Sequence, residues 1–140
     1  MTTFGTAKWQ GGLKDGKGAL STKSGALNEY PYGFASRFEG KPGSNPEELI
    51  GAAHAGCFTM ALSLILEQAG FKAEQMDTKA EITLEKQGDG FAITRSHLIL
   101  RAKIPGIDDA KFKELTGMAE KGCPVSKVLK AEITLDAALV

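Results

Sequence analysis

The chain has 140 residues, 17 basic and 17 acidic side chains, a formal net charge of zero and 42% hydrophobic content. That length and apolar fraction fit one core-bearing domain over residues 1–140. The balanced charge, with no basic run or acidic tail, argues against nucleic acid or an anionic membrane as partner.

Met1 to Gln10 has no charged-then-apolar leader, so the expected location is cytoplasmic. In a reducing compartment the two cysteines, Cys57 and Cys123, are not expected to form a structural disulfide, and any pairing is transient and chemical. Two cysteines without a Cys-x-x-Cys are also too few for most structural zinc sites, so no metal or cofactor is expected.

The first third reads as strands and turns. Thr6 to Gln10 and Ala19 to Thr22 are short strands, with Lys14-Asp15-Gly16-Lys17-Gly18 as the turn, because Asp-Gly tolerates positive φ. Gly33 to Glu39 reads as a third strand, ended by Lys41-Pro42-Gly43-Ser44. Asn45-Pro46-Glu47-Glu48 then opens a helix: Asn45 can cap it, Pro46 fits the first helical position, and the glutamates face the positive end of the dipole. The helix runs to about Gln68 and stops near Gly70.

Leu49 to Leu66 carries no Asp, Glu, Lys or Arg, a length at the lower limit for crossing a bilayer. His54, Thr59, Ser63, two glycines and the flanking glutamates favour a helix in a protein core instead. Thr78 to Lys86 alternates apolar and polar residues as a half-buried strand does. After Gly88-Asp89-Gly90, a second strand runs from Phe91 to Lys103, with Phe91, Ile93, Leu98 and Leu100 expected inward. Asp108 or Asp109 caps a polar-faced helix to Lys121, Cys123-Pro124 starts a short helical turn through Leu129, and Ala131 to Leu139 is the last strand.

This order predicts an α+β fold with a mostly antiparallel sheet around a long buried central helix. One sheet covers only one side of a helix that is apolar nearly all round. A homodimer, with the helix near the interface, would cover the other.

Cys57 lies mid-helix, where the dipole helps a thiolate little and a nearby cation is needed; it also reads as a small buried hydrophobe. Cys123, between Gly122 and Pro124 at a helix start, faces free N–H groups and reads as the more reactive and more accessible thiol, or as a plain cap. Residue patterns alone do not rank the two. Arg37 and Glu47 flank the Pro-Gly break, and an arginine held by a carboxylate can offer its fork to a thiolate or peroxide; both also read as solvated charges. Glu47 stands ten residues before Cys57, about 15 Å along a straight helix, so direct contact between them is not expected. His54 shares a helix face with Cys57, as a Cys–His pair or as a histidine hydrogen-bonded in the core. Phe34, Phe38, Phe58, Met60 and Met118 are candidate pocket walls, and Trp9 is core or interface filling.

The run Asn45-Pro46-Glu47-Glu48-Leu49-Ile50-Gly51-Ala52-Ala53-His54-Ala55-Gly56-Cys57-Phe58, with Gly122-Cys123-Pro124-Val125-Ser126, resembles the OsmC/Ohr family. Pro31-Tyr32-Gly33-Phe34, Arg37-Phe38-Glu39-Gly40 and Lys130-Ala131-Glu132-Ile133-Thr134-Leu135-Asp136 extend the resemblance over almost the whole chain. It implies an intertwined homodimer that reduces organic hydroperoxides at the expense of an external dithiol, with two sites built from both chains. It implies that Cys57 attacks the peroxide, that Cys123 resolves the sulfenic acid as a disulfide, and that Arg37 and Glu47 shape the thiolate. The Ohr branch takes its arginine from the early strands, which leaves Lys14 or Lys17 as other contributors, and it has a different residue at the place of His54. Two other readings stay open: a non-enzymatic binder of apolar metabolites and a Cys–His hydrolase using His54 and Cys57.

Overall fold

A computed structural model describes all of residues 1–140. The elements in order are β1 (Gly5–Gln10), β2 (Lys17–Thr22), β3 (Tyr30–Tyr32), α1 (Phe34–Phe38), α2 (Pro46–Gln68), β4 (Gln75–Gln87), β5 (Gly90–Lys103), α3 (Asp109–Gly122), α4 (Pro124–Val128) and β6 (Glu132–Leu139). They form two compact units, Met1–Leu49 and Ile50–Val140.

The first unit holds the antiparallel sheet β1-β2-β3. Its register puts Gly18 between Trp9 on one neighbouring strand and Tyr32 on the other. A Cβ on Gly18 would lie 2.4 Å from the Tyr32 ring and 2.8 Å from the Trp9 ring. The missing side chain therefore lets the two aromatic rings meet, with centroids 5.6 Å apart. The loop between β1 and β2 spans residues 11–16, so the expected turn residues Lys17 and Gly18 already belong to β2.

The expected strand at Gly33 to Glu39 is not one. The third strand is Tyr30–Tyr32, and residues 34–38 form the single turn α1. The alternation Phe34, Ser36, Phe38 fits a strand, but i and i+4 also share a helix face, and the two rings lie 5.0 Å apart. Ser36 closes the turn: its Oγ accepts from the Gly33 amide at 3.0 Å and bonds the Ser44 carbonyl at 2.8 Å. This local hydroxyl chemistry outweighs the period-two pattern.

The second unit holds the sheet β4-β5-β6, antiparallel between β4 and β5 and parallel between β5 and β6. Parallel pairing requires a crossover, which α3 and α4 provide. Leu98, Leu100 and Ala102 on β5 meet the stripe Phe58, Leu62 and Leu66 of α2, and Phe112, Leu115 and Ala119 of α3, in one core. The α3 residues recur at helical spacing, and Asp108 caps the helix by accepting from the Lys111 amide at 2.7 Å.

On a regular strand Ile93 and Leu98 face opposite ways. A register shift after Thr83 leaves Thr94 as an extra residue on β5, which changes the parity and lets Ile93 be half-buried while Ser96, Leu98 and Leu100 are fully buried. Phe91 does not turn inward as expected; it is 59% exposed and pairs with Lys86, next to the hairpin tip.

The start of α2 follows its sequence. Asn45 Oδ1 accepts from the Glu48 amide at 2.8 Å, with Pro46 and the two glutamates in the first turn. Farther along, α2 buries Gly51, His54, Phe58, Leu62 and Leu66 and leaves its opposite side open, with Met60 76% and Leu64 55% exposed. α2 is long and apolar enough to cross a bilayer by length and composition, yet its fully buried stripe includes a histidine and lies on a sheet.

Leu62 has no exposed surface. Leu62→Ala should lower unfolding stability by roughly 2–5 kcal/mol, through lost transfer free energy and the cavity left behind. Urea unfolding at fixed protein concentration measures it.

Candidate functional site: a thiol pair and an arginine fork

In the second unit, α2 carries Cys57 one residue before core Phe58, so the thiol lies beside the buried stripe and is half-buried. α3 ends by placing Cys123 on its own apolar stripe, where it is 0% exposed. The expectation that Cys123 is the accessible thiol is therefore reversed, because α3 turns it into the core. Both cysteines are free, and each shifts the ionisation of the other.

Burial pushes the Cys57 thiol up, reinforced by the proton it shares with Cys123 and only partly offset by the Val125 amide. Burial acts on Cys123 in the same direction. There it is outweighed by donors to the sulfur: the Cys57 thiol, the Ser126 amide and hydroxyl, and the Val125 amide. The net effect lowers Cys123 below the ordinary thiol value. The two directions are opposed, Cys57 held above and Cys123 below the ordinary thiol value, and the two thiols titrate as a pair.

His54 is fully buried and does not serve as a base for Cys57. Its Nδ1 bonds Ser96 Oγ at 2.6 Å and its Nε2 bonds Ser126 Oγ at 2.7 Å. Both ring nitrogens are engaged by hydroxyls, and burial lowers its pKa, so the ring is neutral at pH 7. Of the two readings of His54, a Cys–His pair and a hydrogen-bonded core histidine, the geometry matches the second. Sequence reasoning missed Ser96 and Ser126 as its partners. Ser126 stands three residues after Cys123, the spacing at which a side chain returns to a helix start. Ser96 shares the inward face with Leu98 and Leu100 by simple alternation, and only a count from Ile93 across the extra residue Thr94 would turn it outward.

In the first unit, Arg37 and Glu47 form the expected pair. Arg37 Nη2 donates to Glu47 Oε1 at 2.6 Å, and Nε donates to Oε1 and Oε2 at 3.2 and 3.3 Å. Glu47 is the more buried partner, its side chain 12% exposed. The fork is held from one edge, and the guanidinium carbon lies 5.3 Å from the Phe38 ring centroid. Arg37 also lines a cavity of about 350 Å³ walled by Trp9, Leu13, Tyr32, Phe34, Phe38 and Pro46. Of the expected pocket residues, Phe34 and Phe38 line it, Phe58 is core, and Met60 and Met118 are exposed. Lys14 lies over the Phe34 ring at 5.8 Å. No group of three or more His, Cys, Asp or Glu is arranged to hold a metal ion.

Two free cysteines, one half-buried and one fully buried, on an α+β scaffold define a protein with a candidate dithiol site. The family model described as OsmC-like protein matches residues 38–138. The chain is 58% identical over 132 residues to peroxiredoxin OsmC of Escherichia coli K12, covering 94% of this chain and 92% of that one. It is 30% identical over 95 residues to an organic hydroperoxide resistance protein of Xanthomonas axonopodis, covering 67% of this chain and 65% of the relative. The crystal structure of the organic hydroperoxide resistance protein OhrB of Bacillus subtilis superposes with a TM-score of 0.73 at 25% identity, covering 100% of this chain and 98% of that one. This chain belongs to the OsmC-like family.

The shared proton makes a titration prediction. Followed by thiolate absorbance, the parent protein should ionise in two steps, the first below and the second above the ordinary thiol range. Cys57→Ala removes a donor to Cys123, so the single remaining step should lie above the parent's first step. A lone step at or below it would contradict the described pairing.

Proposed function

We propose that this protein is a thiol-dependent peroxidase that reduces organic hydroperoxides to alcohols, with Cys57 as nucleophile and Cys123 as resolving thiol. The contact between the two free thiols carries the reading. The difference in exposure supports the assignment, since peroxide can reach half-buried Cys57 but not fully buried Cys123. Membership in a family whose relatives are named peroxiredoxin and organic hydroperoxide resistance protein supports the reaction class.

In the cycle, the Cys57 thiolate attacks the distal peroxide oxygen, the O–O bond breaks, and the alkoxide leaves as alcohol after taking a proton. Cys57 becomes a sulfenic acid. Cys123 attacks its sulfur, water leaves, and a disulfide forms. An external dithiol then restores both thiols by exchange.

The electrostatics of the pair set a requirement. Cys57 must lose its proton before it attacks, burial opposes that loss, and a cation near Cys57 would favour the thiolate. Arg37, oriented by Glu47, is the proposed cation, which also stabilises charge on the departing oxygen. The aromatic cavity beside Arg37 suits an alkyl or aryl tail and disfavours hydrogen peroxide. The same cavity supports the competing reading of a non-enzymatic binder of apolar metabolites, whose ligand binding would survive alkylation of both thiols.

The working form is proposed to be a soluble, cytoplasmic homodimer in which residues 1–140 act as one domain. The open side of α2, with Met60 and Leu64 exposed, supports a second copy as its cover. Leu64→Glu should convert the dimer to monomer by light scattering, and turnover should fall with it.

The decisive chemical test uses cumene hydroperoxide. One equivalent should lower the intact mass of the parent by about two units, the signature of a disulfide without added oxygen. Cys57→Ser should abolish consumption. Cys123→Ser should give one turnover and stop with oxygen on Cys57. Steady consumption by Cys57→Ser at the parent rate would remove the basis for the assignment.

A further inference from the structure

The turn that follows Cys123 is weakly anchored by packing. α4 has no fully buried residue, and its N-cap, Cys123, makes no side-chain capping bond. Val125 packs against the edge of the core. The side-chain hydrogen bond that ties the turn to another element joins Ser126 Oγ to His54 Nε2 on α2, at 2.7 Å. The ring is held on its other side as well. Its Nδ1 bonds Ser96 Oγ on β5 at 2.6 Å, and His54 and Ser96 are both 0% exposed.

The partners are evenly spaced. His54 stands three residues before Cys57 on α2, and Ser126 stands three residues after Cys123. Three residues are close to one helical turn, a rise of about 4.5 Å, on each side. Cys57 packs against the buried cluster that holds Cys123, and each thiol shifts the ionisation of the other. The two segments therefore run in opposite directions as a ladder with two rungs, His54 with Ser126 and Cys57 with Cys123. With equal spacing on both uprights, fixing the first rung fixes the register of the second. A slip of α4 by one residue would break the His54 bond and carry Cys123 away from Cys57. A disulfide needs Cβ atoms about 3.8 Å apart, so a small slip matters.

We propose that His54 is a positioning residue for disulfide closure: pinned by Ser96, its ring holds Ser126 and so keeps Cys123 in register with Cys57. The step it serves is the one in the peroxidase reading above, on which the inference rests. In that step the Cys123–Cys57 sulfur–sulfur bond forms and the sulfenic S–O bond breaks. The oxygen leaves with the electron pair and, taking up the proton that the Cys123 thiol loses, departs as water. No further oxidant or reductant enters. His54 takes no part in these bond changes and acts through Ser126.

Register can be read as the effective concentration of one thiol at the other. The protein is equilibrated in glutathione buffers of graded ratio, quenched by alkylation, and its dithiol and disulfide forms are counted by intact mass. Ser126→Ala should shift the balance toward the dithiol by about tenfold, a rise of about 30 mV in potential. Loss of a thiolate donor alone would move the balance the other way, so the sign separates the two effects. Ser126→Thr, which keeps the hydroxyl, should keep the parent's balance. His54→Leu removes the same rung and should match Ser126→Ala, with the double variant no worse than either single. If His54→Leu does not fold, the Ser126 variants decide. Ile104→Ala, a cavity in the core beyond the end of β5, costs stability but touches neither rung, and should leave the balance unchanged. With one equivalent of cumene hydroperoxide under rapid quench, Ser126→Ala should form sulfenic acid at the parent rate and close it about tenfold more slowly. An unshifted balance in Ser126→Ala, a shift toward disulfide, or an equal shift in Ile104→Ala would overturn the positioning role. The glutathione balance needs no peroxide, so a parent that pairs its thiols yet consumes no hydroperoxide would sink the peroxidase reading alone.

Discussion

The approach of the Cys57 and Cys123 side chains, close enough for each to shift the other's ionisation, is the constraint around which the second unit is organised. The sulfurs come from helices far apart in the chain, and neither helix alone would bring them together. Both helices must lie on one face of β4-β5-β6 in a fixed register. The stripe Phe58, Leu62 and Leu66 sets the rotation of α2, and Phe112, Leu115 and Ala119 set that of α3. A dense core resists small shifts of such stripes. The packing thus holds the thiols within reach of each other without a covalent bond.

That contact also distributes charge. Two sulfurs this close titrate as a pair, and the donors around each bias the two steps. The short α4 turn brings the Val125 and Ser126 amides and the Ser126 hydroxyl to the inner sulfur, whereas Cys57 gains the Val125 amide and loses solvent. Burial and the neighbouring thiol hold Cys57 above the ordinary thiol value, so its ionisation calls for a cation beside it.

Much of this was legible in the sequence where local chemistry and periodicity agree. Asn45-Pro46-Glu47-Glu48 is a helix start by every criterion, and the capping bond and first turn follow it. The charge-free run after it implied a helix too apolar for one sheet to cover, and α2 indeed leaves Met60 and Leu64 open. Arg37 and Glu47 were readable as a pair because a carboxylate and a guanidinium flank one tight break. Misreadings arose where two periods fit the same letters. Phe34, Ser36 and Phe38 alternate, but a serine hydroxyl bonding the Gly33 amide makes a helical turn of them. Cys123 looked exposed because its neighbours are Gly and Pro; its burial depends on the phase of the α3 stripe, a tertiary property. Ser96 falls inward by alternation from Leu98 and Leu100 but outward by alternation from Ile93, and the extra residue at Thr94 reconciles the two counts.

The polar path behind the inner thiol bears on how such a core is specified. A serine, a histidine and a second serine among leucines and phenylalanines cost desolvation free energy unless all are bonded, and here no buried side-chain polar atom lacks a partner. The path also fixes geometry: His54 ties α2 to β5 through Ser96 and to α4 through Ser126, the elements on either side of the thiol contact. These bonds hold the Cys57 helix against the turn that follows Cys123. Removing the Ser126 hydroxyl would leave His54 with an unpaired buried nitrogen, whereas a side chain that keeps a hydroxyl there preserves the bond.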